Sequence, residues 1–99
     1  MERRLPWSPR RRVLKIQRKA NGDVELKVSG RLDADNLDEL CAMIAAEPVV
    51  RGLVLDLVDL ILVDRDTVHF LCACERDGIV LRDCPRYVRT WMAREAGEP

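Results

Sequence analysis

The chain shows no regular apolar pattern before Val13. Val13, Leu14 and Ile16 then precede Asn21-Gly22, and beyond it Val24, Leu26 and Val28 alternate with Glu25 and Lys27. A period of two fits half-buried strands, and Asn-Gly between two such runs signals a hairpin. The pattern predicts antiparallel strands over 13–19 and 23–28, joined by a turn longer than two residues, with Val24, Leu26 and Val28 facing a core. Ser29-Gly30 is expected to end the second strand. Leu37, Leu40, Cys41 and Ile44 recur at i, i+3, i+4 and i+7, one stripe of a helix. Asp33 or Asp35 is its expected cap, Asp38 and Glu39 suit its first turn, and Pro48 stops it. Residues 53–58 form a nearly continuous apolar run, as in a central strand covered on both faces, and a short second run follows over 60–63.

Asp64, Asp66 and Thr67 each have helix-cap chemistry. Val68, Leu71, Cys72 and Glu75 then form one helical stripe, with Phe70 and Cys74 beside it, and Asp77-Gly78 closes the helix. Residues 79–81 read as a strand. Pro85 suits a first helical position, and Tyr87, Val88, Trp91 and Met92 mark a last amphipathic helix. The order β-β-α-β-α-β-α predicts an α/β fold. Its mixed sheet of about four to five strands opens with an antiparallel hairpin and carries packed helices.

Ninety-nine residues suit one domain, here 13–94, between a basic tail over 1–12 and a C-terminal tail over 95–99. Hydrophobic residues at 47% and charged residues at 34% exclude a disordered composition. No apolar run approaches the ~18 residues of a membrane span, and no apolar stretch follows the basic start as in a secretory signal. A cytoplasmic protein without membrane insertion is therefore expected. The chain is neutral overall, but residues 1–20 carry eight basic side chains against Glu2 alone, leaving +7 there and −7 on the remainder. Such a segment can meet nucleic acid or an anionic membrane, or lie on the acidic body. With Trp7 as its single aromatic, Pro6 and Pro9, and no helical pattern, nucleic-acid binding is not expected. Cys41, Cys72, Cys74 and Cys84 lie mostly in apolar-patterned segments without an export signal, so reduced thiols are expected.

Catalytic signals are weak. His69 is the only histidine and has no nucleophile at an obvious spacing. His69, Cys72, Cys74 and Cys84 lack the paired spacing of zinc sites, and Asp33, Asp35, Asp38 and Glu39 lack a calcium-loop pattern. The glycines are scattered, with no phosphate-cradling loop. No metal or other cofactor is expected. The aspartates 56, 59, 64 and 66 attract more interest, because open α/β sheets place their sites at strand C-terminal ends. Capping accounts for one of Asp64 and Asp66, not for both together with Arg65.

Three stretches together resemble the STAS domain, the family of anti-sigma-factor antagonists and of the cytoplasmic tails of sulfate transporters. Val28-Ser29-Gly30-Arg31-Leu32-Asp33 is similar to the family's strand-end G-x-L-D. Residues 53–60, Leu-Val-Leu-Asp-Leu-Val-Asp-Leu, are similar to its central hydrophobic-D-L-S strand. Residues 63–71 correspond to its D-S-S/T-G signature and the helix behind it. The likeness covers about 13–92 and departs at the signature: Arg65 replaces the first serine, Asp66 the phosphorylatable serine or threonine, and Thr67 the glycine. Val58 replaces the serine after the central Asp-Leu.

The resemblance implies a non-enzymatic bacterial interaction module in signalling and transcription regulation. Its partner would be an anti-sigma factor or a kinase-like regulatory protein. The implied contact residues are Asp33, Asp64, Arg65, Asp66, Thr67 and His69. Asp66 would put a permanent single negative charge where phosphoserine carries about −1.5 to −2, with Thr67 as the fallback phosphoacceptor. A second expectation is a STAS-like accessory subunit of a transporter or other assembly, for which an exposed apolar patch is the discriminator. A third, an Asp-based phosphatase or metal enzyme, needs bound metal or turnover. Homodimerisation is open at this level.

Overall fold

The computed structural model describes residues 14–97. The basic tail over 1–12 and the strand start at Val13 lie outside them. The elements run β1 Leu14–Asn21, β2 Asp23–Leu32, α1 Leu37–Ala45, β3 Val54–Asp56, β4 Leu60–Val63, α2 Arg65–Arg76, β5 Val80–Arg82 and α3 Arg86–Glu95. The mixed five-stranded sheet and its opening hairpin follow the sequence pattern.

The hairpin is tighter and longer than expected. Pairing persists to Asn21↔Asp23, leaving Gly22 alone at the tip with φ 93°, a left-handed conformation that glycine adopts without a Cβ clash. At the other end Ser29-Gly30 does not stop β2. Gly30 takes φ 97° at a register shift, and the strand continues to Leu32.

That continuation gives the sheet its shape. Residues 25–27 of β2 pair in parallel with β3, and residues 30–32 pair in parallel with β4. β3 and β4 thus lie end to end along one edge of β2. The second apolar run is a strand of its own, adding one to the predicted order. The break at residues 57–59 is a turn: the Leu60 amide donates to Leu57 O at 3.1 Å, and the Gly30 amide donates to Asp59 O at 3.0 Å. β5 pairs in parallel with β3, so the order across the sheet is β1-β2-β3-β5.

One sheet face carries Leu26, Leu55 and Leu81 in register. They join Leu40 of α1, Val68, Leu71 and Cys74 of α2, and Val88 and Met92 of α3 in one core. Each fully buried aliphatic side chain contributes about 1.5–3 kcal/mol relative to exposure. The opposite face is polar: Gln17, Lys27, Asp56 and Arg82 stand in register across four strands. The apolar run over 53–58 is therefore not covered on both faces.

Three local expectations are corrected. The buried stripe of α2 ends on Cys74, whereas Glu75 is exposed and pairs with Arg89 at 2.8 Å. Asn36, not Asp33 or Asp35, occupies the N-cap of α1, without a side-chain cap bond. Pro85 is the N-cap residue of α3, one place before the first helical position. All four cysteines are free thiols.

Candidate functional site

The sequence places its candidate residues at the start of α2, where β4 delivers the chain to a helix N-terminus. Asp64 is extended, with φ −115° and ψ −178°, which aims its carboxylate back at the helix. Its Oδ1 accepts the Thr67 amide at 2.9 Å, the standard N-cap bond. Its Oδ2 accepts the Ala34 amide at 2.9 Å, from the loop between β2 and α1. Burial pushes the Asp64 carboxyl up, but these amide donors outweigh burial and hold it below its ordinary value of 3.8.

Thr67 makes the second tie between the same two segments. Its side chain is 0% exposed, and its hydroxyl donates to Leu32 O at 2.8 Å. A kinase could reach that oxygen only by opening the helix start. The implied contact set is therefore divided: Asp64 and Thr67 lock α2 to the end of β2, while Arg65, Asp66 and His69 are exposed on the same turns. Among the described residues the Asp66 side chain forms neither a hydrogen bond nor an ion pair. The cap is Asp64, so what Asp66 adds to the helix is charge near the dipole's positive end, about 0.3–1 kcal/mol.

Asp33 sits in the adjoining loop. Its Oδ1 accepts the Asp35 amide at 3.0 Å, and its Oδ2 meets Arg31 Nε at 3.2 Å. Asn36 Oδ1 accepts the Asp33 amide at 2.9 Å, and its side-chain amide donates to Arg31 O at 2.9 Å. These local bonds order the loop, and the Ala34–Asp64 and Leu32–Thr67 bonds hold it against α2, so Asp33 and the Asp64–Thr67 turn form one surface region.

Glu95 is the residue the sequence reading missed. The sequence pattern places it in the C-terminal tail, yet it ends α3 and gathers three side chains. His69 Nε2 lies 2.6 Å from Glu95 Oε1, Arg65 Nε donates to the same oxygen at 3.2 Å, and the Trp91 indole N–H reaches Oε2 at 3.4 Å. The His69 contact, followed by Arg65 and Trp91, keeps the Glu95 carboxyl below its ordinary value of 4.5 against the opposing effect of desolvation. The i, i+4 spacing of Trp91 and Glu95 is visible in sequence; their meeting with α2 is tertiary.

The other aspartates serve the sheet. Asp56 Oδ1 accepts the Val58 amide at 3.1 Å, and Oδ2 meets Arg82 at 3.3 Å. Arg82 also pairs with Glu25. Asp59 meets Lys27 at 3.2 Å. Within the basic N-terminal segment, Arg18 is already engaged by Glu47 at 2.7 Å.

Among the described residues no three His, Cys, Asp or Glu side chains converge on a point where a metal ion would bind. Burial raises all four thiols, Cys74 to about 12, so at neutral pH they are protonated and weakly nucleophilic. No described helix is long and apolar enough to cross a membrane. What the region offers is an exposed, charged protein surface: Arg65, Asp66, His69 and the Asp33 loop, on a rigidly tied helix start. No known protein-family model matches the chain, and no curated protein matches it.

Proposed function

We propose that this protein is a non-enzymatic, cytoplasmic interaction module of the STAS type, resembling an anti-sigma-factor antagonist. It binds a regulatory protein, an anti-sigma factor or a kinase-like protein, through the start of α2. Asp66 sets the charge of the contact. One observation carries this reading. At the position where the resembled family is phosphorylated, Asp66 is exposed and its side chain unengaged among the described residues, while Asp64 and Thr67 make the hydrogen bonds that tie the helix start to the end of β2 and its loop. A partner Arg or Lys facing Asp66 favours binding, and an acidic surface there opposes it. With no hydroxyl at this position, the switch is locked in one charge state.

The test is affinity purification of the tagged protein from its host at native expression, beside Asp66→Ser. A kinase-like or anti-sigma protein is enriched, and a binding titration with it shows Asp66→Ser shifting affinity by more than about tenfold. Equal affinity for both forms refutes the role of Asp66.

A second reading, an accessory subunit of a transporter or other assembly, is favoured by the apolar residues Val58, Ile61 and Leu62. They are close in sequence, from the turn after β3 into β4, and are each more than half exposed. Co-purification with a membrane complex, lost on Ile61→Lys and unaffected by Asp66→Ser, supports this reading over the first.

A further inference from the structure

We propose that the outer face of α3 is a docking surface for a short acidic segment of a partner protein, carrying one apolar anchor side chain. α3 turns Val88 and Met92 into the core. The exposed Arg86, Tyr87, Thr90 and Arg94, with the half-buried Trp91, line a shallow groove of about 550 Å³.

The aromatic pair is held in place by its polar ends. The Tyr87 hydroxyl donates to Ile61 O at 2.8 Å, and the Trp91 indole N–H points to Glu95. Tyr87 is thereby fixed to β4, and Trp91 is held by its own helix and by packing against the core, with both rings beside the groove. Tyr87 is 45% exposed, an apolar area with no described neighbour to cover it. Rigid aromatics flanked by arginine are the composition that dominates binding energy at protein interfaces.

The arginines decide which partner fits. Arg18, Arg31, Arg65, Arg82 and Arg89 each meet a carboxylate. Arg86 and Arg94 form no ion pair or side-chain hydrogen bond among the described residues, and no acidic residue lies in the first turn of α3. They stand eight positions apart, roughly 12 Å along the axis at ~1.5 Å per residue. About four residues of extended peptide span that distance, so two carboxylates can meet the two guanidiniums with an apolar side chain between them over Tyr87 and Trp91. A long polyanion is disfavoured at this groove, because Glu95 borders Trp91 and residues 21–99, which surround it, carry −7 against the +7 of residues 1–20. A short acidic segment meets mainly the two local cations. This surface lies on a different helix from Asp66 and does not depend on the role given to Asp66.

The test is a titration of the full chain with a synthetic peptide of aspartates and glutamates around one central leucine. It is read by the Trp91 indole N–H resonance, assigned with Trp91→Phe. Controls are the same peptide with asparagine and glutamine, and an oligothymidylate of equal length. A saturable shift is expected, with binding about tenfold weaker for the amide peptide and for Arg86→Glu/Arg94→Glu. Arg86→Gln/Arg94→Gln weakens it in the same direction without charge reversal, and Asp66→Ser leaves it unchanged. The proposal is overturned by no saturable shift, by equal binding of the amide peptide, or by tighter binding of the oligothymidylate.

Discussion

The first turn of α2 has two sides, and they are built to different ends. On the inner side, Asp64 and Thr67 make three hydrogen bonds, to Ala34, Leu32 and the helix's own amide. On the outer side, Arg65 and His69 reach only Glu95, from side chains 70% and 54% exposed, and Asp66 has no described partner. Asp64 to Thr67, with His69, thus divide between holding the fold and presenting charge. The outer residues can change without disturbing the helix start, because none of the bonds that position it passes through them. In the proposed recognition role this separation is useful, because the groups that fix the surface's geometry lie behind it.

Asp64→Ala tests that division most severely. It removes the cap and strands the Ala34 amide, and a loss of about 2–4 kcal/mol is expected in urea unfolding. Stability unchanged by this substitution would break the distinction at its inner side. Thr67→Val keeps the shape but leaves Leu32 O without its donor in a fully buried site, at a cost of about 1–2 kcal/mol. Its effect should fall below that of Asp64→Ala, because only one neutral bond is lost.

The lowered Asp64 carboxyl adds a pH test on the same side. A carboxylate with a folded pKa below its unfolded value stabilises fully above the unfolded value, and loses that contribution as pH falls through the folded one. Stability is therefore kept above the ordinary 3.8 and declines below it. Asp64→Asn retains cap geometry without the titration, so its urea midpoint should fall less steeply with acid than that of the natural chain. Parallel acid profiles would mean that other carboxylates account for the loss, with Glu95 the next candidate, since it is lowered in the same direction.

Much of the fold was legible because its signals are local. Alternation at Val24, Leu26 and Val28, the helical stripe from Leu37 and the glycine at 78 each depend on neighbours in sequence. The misses are places where distant contacts decided. Ser29-Gly30 looks like a strand end, but a glycine at positive φ also permits a bulge, and pairing with β4 made extension favourable. Glu75 and Cys74 are adjacent, and which one faces inward depends on how α2 rolls against α3, where Arg89 captures Glu75. The candidate site was half legible for the same reason. The cap chemistry of Asp64 shows in its spacing to Thr67, whereas Glu95 acquires His69 and Arg65 only when α3 closes against α2. Exposure also cannot be read from a motif, so Thr67 entered the contact set although its side chain is buried.

Asp66→Ser should give the smallest effect on stability, and it sharpens the comparison most. The substitution removes one charge from the helix's first turn and no described hydrogen bond or ion pair. Serine also tolerates a helix start. The expected change in urea unfolding is at most about 1 kcal/mol, the size of the lost charge–dipole interaction. The sign should be a slight loss, because an acidic group near the positive end of the helix dipole is favourable, and salt should shrink it. A loss as large as that of Asp64→Ala would place Asp66 among the residues that hold the fold and end the division of this turn. A neutral result leaves its charge free to be set by whatever binds the surface. A change in partner affinity in this variant can then be assigned to the contact itself, not to a loosened helix.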